Sequence, residues 1–259
     1  MKQRTLTSVV LALLSMVLLG CFHLPWVPQL IAILLGCGAV WEILGANGIR
    51  NKGSYAAGLF LAVIIPLFSL TEKVWWMAAA LVLGLGFFTY LMTRIGKQAP
   101  AWVAAPEIVL ALSLYRGLAC YGEIPHGAFF LCLTGLICAL TDIFAYLVGS
   151  RFGRRKLAPK VSPGKSIEGA LGGLGITVVL IVLVFGRFFD DIGTLVLYTA
   201  VVSILGQFGD LSMSAVKRVA GVKDFGHIFP GHGGVMDRFD SVIFTLIVMY
   251  CLSLIHISE

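Results

Sequence analysis

The chain has 259 residues, 59% of them hydrophobic and only 12% charged. A soluble domain carries roughly twice that share of charge, which argues against a soluble enzyme, a disordered chain or a soluble repeat array. The apolar runs are continuous rather than alternating, against a β-barrel. The net charge of +6 comes without a basic stripe interleaved with aromatics, so no nucleic acid is expected as partner.

The remaining class is all-α: a polytopic transmembrane helical bundle. A crossing takes about 20 apolar residues, and about nine stretches supply one. They run approximately 5–23, 28–46, 54–71, 74–93, 102–119, 126–149, 169–186, 192–213 and 239–257. With the N-terminus in the cytoplasm, 16 of the 19 Lys and Arg residues fall in cytoplasmic segments, leaving Lys73, Arg116 and Arg187 outside. One missed helix would invert every later loop, so the skew supports this count. Residues 1–120 form an N-terminal transmembrane region of about five spans. Residues 121–259 form a C-terminal transmembrane region with cytoplasmic loops at 150–168 and 214–238, the region in which the chemistry described below is expected.

In chain order, the first span follows Lys2 and Arg4 and ends near Leu18-Leu19-Gly20-Cys21. A second span follows at once, as it would not after a cleaved signal. Glu42 in span two and Glu107 in span five are intramembrane acids. Such acids are functional candidates by default, and the alternative for each alone is an acid near a helix end that reaches the interface. Pro106 and Glu107 interrupt span five, and Trp75 and Trp76 suit an interfacial belt. Gly169 and Gly173 make a G-x-x-x-G pair, predicting close helix packing in span seven. The six cysteines form no C-x-x-C pair and read as free thiols.

Segments 142–168 and 210–240 hold 16 of the 32 charged residues. Asp142 and Tyr146 are four apart, on one helix face. The loop Ser162-Pro163-Gly164-Lys165-Ser166-Ile167-Glu168 then offers a cation, hydroxyls and backbone amides ahead of a helix. A P-loop would need a glycine where Pro159 stands, and a preceding strand, and is rejected. Gln207, Asp210, Ser214 and Lys217 make one polar stripe on span eight. Burying a carboxylate there is costly unless a cation or metal compensates it. Beyond lie Lys223-Asp224, a glycine-rich turn at 231–234, and Asp237, Arg238 and Asp240 re-entering the membrane. Asp210, Asp224, Asp237 and Asp240 are hard oxygen donors suited to Mg²⁺, and Lys and Arg clamp phosphates. Acid ligands and basic clamps at a membrane face point to phosphate transfer between a nucleotide and a lipid.

Ser214-Ala215-Val216-Lys217-Arg218, Lys223-Asp224 and His232-Gly233-Gly234-Val235-Met236-Asp237-Arg238-Phe239-Asp240 resemble the signature of the phosphatidate cytidylyltransferases, or CDP-diacylglycerol synthases. Similarity reaches from about residue 142 to 241, taking in Asp142 to Tyr146, Ser162 to Gly169 and Gln207 to Leu211. The resemblance implies that CTP and phosphatidate give CDP-diacylglycerol and pyrophosphate. It implies catalytic roles for Asp210, Lys217, Arg218, Asp224, Asp237 and Arg238. Asp210 and Asp237 would carry Mg²⁺, as one ion or a pair. Substrate contacts would come from Asp142, Tyr146, Ser162, Lys165, Ser166, Glu168, Gln207, Ser214, Lys223, His232, Gly233, Gly234 and Asp240. It further implies a homodimer among membrane lipids of the cytoplasmic (inner) membrane, with the site facing the cytoplasm. The alternatives are a CTP-dependent polyprenol kinase, a CDP-archaeol-type synthase or, outside enzymes, a transporter. The unbroken signature disfavours the kinase. Clustering of charge at one face disfavours the transporter, whose charges belong near the midplane.

Overall fold

Apolar runs in a bilayer have no water for their backbone N–H and C=O groups, so they pair them internally as helices. The computed structural model describes residues 17, 20–22, 24, 26–67, 90, 104–121, 126–226, 228, 233–242 and 244–246. These contain helices α1 (Trp26–Ala46), α2 (Lys52–Leu67), α3 (Ala104–Cys120), α4 (Gly127–Phe152), α5 (Ile167–Phe185), α6 (Ile192–Val219) and a single turn, α7 (Met236–Phe239). Among the described residues four segments are long and apolar enough to cross a membrane: Trp26–Ala46, Gly127–Phe152, Ile167–Phe188 and Ile192–Val219. They match the expected spans at 28–46, 126–149, 169–186 and 192–213. The spans expected at 54–71 and 102–119 are the 16-residue α2 and 17-residue α3. Those at 5–23, 74–93 and 239–257 lie largely outside the described residues.

Pro106 does not break α3. It sits in the first turn, where its missing N–H has no helical partner to lose. Helix α1 packs against α2 and α3, and α4, α5 and α6 pack against one another. Gly169 and Gly173 let α5 lie directly on α4. A Cβ at Gly169 would stand 2.6 Å from the Ala145 carbonyl oxygen, and one at Gly173 2.7 Å from that of Thr141. Thr141 Oγ1 also lies 3.0 Å from Ser203 Oγ and 3.4 Å from Thr177 Oγ1, so one buried hydroxyl joins three helices. Leu171, Val179 and Leu183 point outward, as lipid-facing residues do.

One expectation needs correction. Residues 156–166 are not an irregular loop in an all-α protein. They form an antiparallel hairpin, β1 (Lys156–Ala158) with β2 (Ser162–Ser166), pairing Lys156 with Ser166 and Ala158 with Ser162. The register shifts between these pairs, opposite Pro163 and Gly164. A strand tolerates proline at such an irregularity, because no ladder N–H is required there. Ser166 then caps α5 by accepting from the Gly169 N–H at 3.1 Å.

Candidate active site

The hairpin folds back over the ends of α4 and α6 and closes one wall of a cavity of about 420 Å³. Asp142 and Tyr146 line it from α4, Ser162, Lys165 and Ser166 from β2, and Gln207 and Asp210 from α6. Seven residues singled out from the sequence thus share one cavity. Ala145, Gly149, Ser150, Leu157, Gly164 and Ala170 complete the wall. At its polar end, Lys165 Nζ forms an ion pair with Asp210 Oδ2. Ser214, one turn along α6, lies 3.4 Å from Asp210 Oδ1. Gln207 Nε2 reaches the Ala170 carbonyl at 3.2 Å and so ties α6 to α5 beside the cavity.

A second cluster stands one to two turns further along α6. Lys217 Nζ lies 3.0 Å from Asp237 Oδ1 and 3.9 Å from Asp240 Oδ2. It also sits 5.7 Å from the centre of the Phe225 ring, a cation–π distance. Asp237 Oδ2 accepts from the Phe225 N–H at 3.0 Å and the Gly234 N–H at 2.9 Å. Gly233 makes this possible with a φ of +83°, in the left-handed region where a side chain is strained. A Cβ there would meet Asp237 Oδ2 at 2.9 Å. The clusters are linked through Ser241, whose hydroxyl donates to Asp142 Oδ2 at 3.1 Å and whose N–H donates to Asp240 Oδ1 at 2.9 Å.

Other predicted residues hold different posts. Glu168 accepts from the N–H groups of Arg154 (3.0 Å) and Arg155 (3.1 Å), so it shapes the turn into the hairpin rather than lining the cavity. Arg218 donates to the carbonyls of Val161 (3.3 Å) and Val222 (3.4 Å), fastening the hairpin tip to the end of α6. Lys223, Asp224 and Arg238 are exposed. His232 lies outside the described residues.

Two contributors are not among the site residues expected from the sequence. Ser241 carried no motif. Glu42 read as an acid bound for the interface, yet it is only 2% exposed. Its two oxygens accept from the Val235 N–H at 2.7 Å and the Met236 N–H at 2.9 Å, across 193 residues of sequence. An acid in an otherwise apolar helix was the available signal. Glu107 is also buried and bonds Asn47 Nδ2 at 2.8 Å, tying α3 to the end of α1.

The donor set also bears on the divalent metal implied by the resemblance. Of the carboxylates expected to carry it, Asp210 is paired with Lys165 and Asp237 with Lys217. Among the described residues no three acid, His or Cys side chains converge into a closed cage. An open set of oxygens suits Mg²⁺, which takes one or two carboxylates and fills its shell with water and substrate phosphate.

Cations and carboxylates thus gather at the ends of apolar helices, and the sequence is similar to those of known proteins. Phosphatidate cytidylyltransferase of Staphylococcus haemolyticus (strain JCSC1435) is 36% identical over 257 residues, 95% of this chain and 96% of that protein. The enzyme of the same name from Staphylococcus epidermidis (strain ATCC 12228 / FDA PCI 1200) is 36% identical, and that from Staphylococcus aureus (strain COL) 34%, each over the same shares of both chains. The profile of the cytidylyltransferase family matches residues 2–256, and the chain belongs to that family.

Proposed function

We propose that this chain makes CDP-diacylglycerol and pyrophosphate from CTP and phosphatidate, for phospholipid biosynthesis. The observation that carries this reading is the cavity in which β2 brings Lys165 to Asp210, beside Lys217 held by Asp237 and Asp240. A soluble nucleotide and a membrane-bound phosphate have to meet at such a polar mouth on apolar helices.

An oxygen of the phosphatidate phosphate attacks the α-phosphorus of CTP. The new P–O bond forms as the α–β bond breaks, and pyrophosphate leaves with the electron pair. The nucleophile is already anionic, so no strong base is needed. The barrier to lower is repulsion between two polyanions in a site of reduced dielectric. Lys165 and Lys217 answer it with charge, and Arg218, Lys223 and Arg238 stand as further phosphate contacts. The carboxylates hold Lys165 and Lys217 in place before substrate arrives, so little reorganisation remains during transfer. Asp210 and Asp237 would hold Mg²⁺, which when bound supplies charge neutralisation on phosphate oxygens. Asp142, Tyr146, Ser162, Ser166, Gln207 and Ser214 shape and hydrogen-bond the substrate space. The same reading has about nine spans, a cytoplasmic N-terminus, a site facing the cytoplasm and a homodimer in the inner membrane.

One assay tests it. Purified protein with labelled CTP, phosphatidate and Mg²⁺ should yield CDP-diacylglycerol and pyrophosphate in equal amounts. Absence of the CDP-lipid, or release of CDP in place of pyrophosphate, would overturn the reading.

A further inference from the structure

The turn that carries Asp237 is held from the far end of the chain. Gly38 and Glu42 lie one helical turn apart on α1, and both face residue 235. A Cβ at Gly38 would stand 2.9 Å from Val235 Cγ2, so this face of α1 fits directly onto the Val235 side chain. Glu42 then takes the N–H groups of Val235 and Met236, one on each oxygen. Backbone closes over the carboxylate. A Cβ at Gly226 would meet Glu42 Oε1 at 2.7 Å, and one at Gly234 would collide with the same group. No cation pairs with Glu42 among the described residues. Its only hydrogen-bond donors there are those two amides. On the next helix over, Tyr115 Oη reaches Met236 Sδ at 3.7 Å, and its ring meets Phe239 edge-on at 6.4 Å. The turn 234–239 is therefore seated on α1 and α3.

The geometry points to Glu42 as a positioning residue for the transfer, acting through the turn that sets Asp237 and, through Asp237, Lys217. This rests on the proposed cytidylyl transfer. A side chain that merely filled space would be replaceable by any group of its size. Here both oxygens must accept, because both partners are N–H donors. A glutamine would turn an NH₂ towards one of them, leaving two donors facing each other and displacing one amide of the turn. The displaced amide is one or two residues from Asp237, whose carboxylate orients Lys217. A small shift of positioned groups is costly to turnover, by up to about 100-fold for about 1 Å.

The test is steady-state kinetics of Glu42→Gln in detergent–phosphatidate micelles, per mole of monodisperse protein. The expected result is a fall in kcat of about 30- to 100-fold with KM for CTP within about threefold of wild type. Glu42→Asp keeps two acceptors on a shorter arm, and its kcat should lie between the two. If Glu42→Gln does not yield folded protein, Glu42→Asp is judged alone by lowered kcat at unchanged KM. A kcat within twofold of wild type in the folded variant would overturn the inference. So would a rise in KM at unchanged kcat, or failure of both variants to fold, which would mark Glu42 as structural only. Inactive wild-type protein would instead overturn the proposed reaction.

Discussion

Lys217 carries the sharpest energetic consequence at the scale of single residues. Its side chain is 12% exposed, and that of its partner Asp237 is 5% exposed. Neutralising Asp237 leaves Lys217 only its longer 3.9 Å pair with Asp240, at a cost of up to about 3 kcal/mol. Asp237→Asn should therefore abolish turnover and also lower unfolding stability by about that amount. Lys217→Met should cost less stability, because Asp237 keeps its two backbone donors. A double-mutant cycle by denaturant unfolding in detergent should give a coupling of about 1 kcal/mol or more. Zero coupling would show that the pair adds nothing to the fold. Much of this cluster was legible in the sequence, since charges are scarce in the chain and half of them fall in two short segments. The division of labour was not. Asp237 in the signature and Glu168 in the earlier stretch both accept from backbone amides, yet only Asp237 also anchors a lysine. That distinction depends on which N–H groups a turn leaves unpaired, and no spacing rule records it.

Among the elements, the hairpin and the α4–α5 contact differ in how plainly the sequence announced them. Gly169 and Gly173 predicted close packing because they recur once per turn, and α5 does lie against α4 through them. The hairpin was missed because β2 contains Pro163 and Gly164, both poor strand formers, and because tertiary pairing overrode local preference. Its function is positional, since it presents Lys165 to Asp210 from above. The helix contact gives an expected outcome. Gly173→Ala places a methyl against the Thr141 carbonyl, so it should lower the melting temperature in detergent and reduce activity. Gly175 has nothing within 4 Å of its Cβ position, and Gly175→Ala should shift stability by no more than about 1 kcal/mol. Equal melting temperatures for the two variants would remove the close approach from the account of the fold.

At the scale of the whole molecule, hydropathy made the membrane class plain, and the four long apolar helices agree with it. Sidedness is the part that geometry leaves to experiment, because a bundle looks the same from either leaflet. The proposed orientation puts the basic stretch Arg151 to Lys160 in the cytoplasm. Lys156→Cys in a cysteine-free background should thus react with a membrane-impermeant maleimide only after the cells are opened. Labelling of intact cells would invert the topology. The sequence also suggested a silent first half and a chemical second half. The structure joins them, since α1 and α3 seat the turn that bears Asp237.

The reach of Glu42 has a consequence for biosynthesis. Its two donors follow it by 193 and 194 residues. At roughly 5–20 residues per second, the ribosome makes them on the order of 10–40 s after Glu42 itself. Through that interval α1 carries an acid with neither of its native donors, a group that an apolar setting accepts poorly. Helix α1 therefore completes its native contacts only after Val235 and Met236 have been made. A product terminated before Val235 leaves that acid uncompensated, so a failed synthesis is marked in α1 rather than at the break.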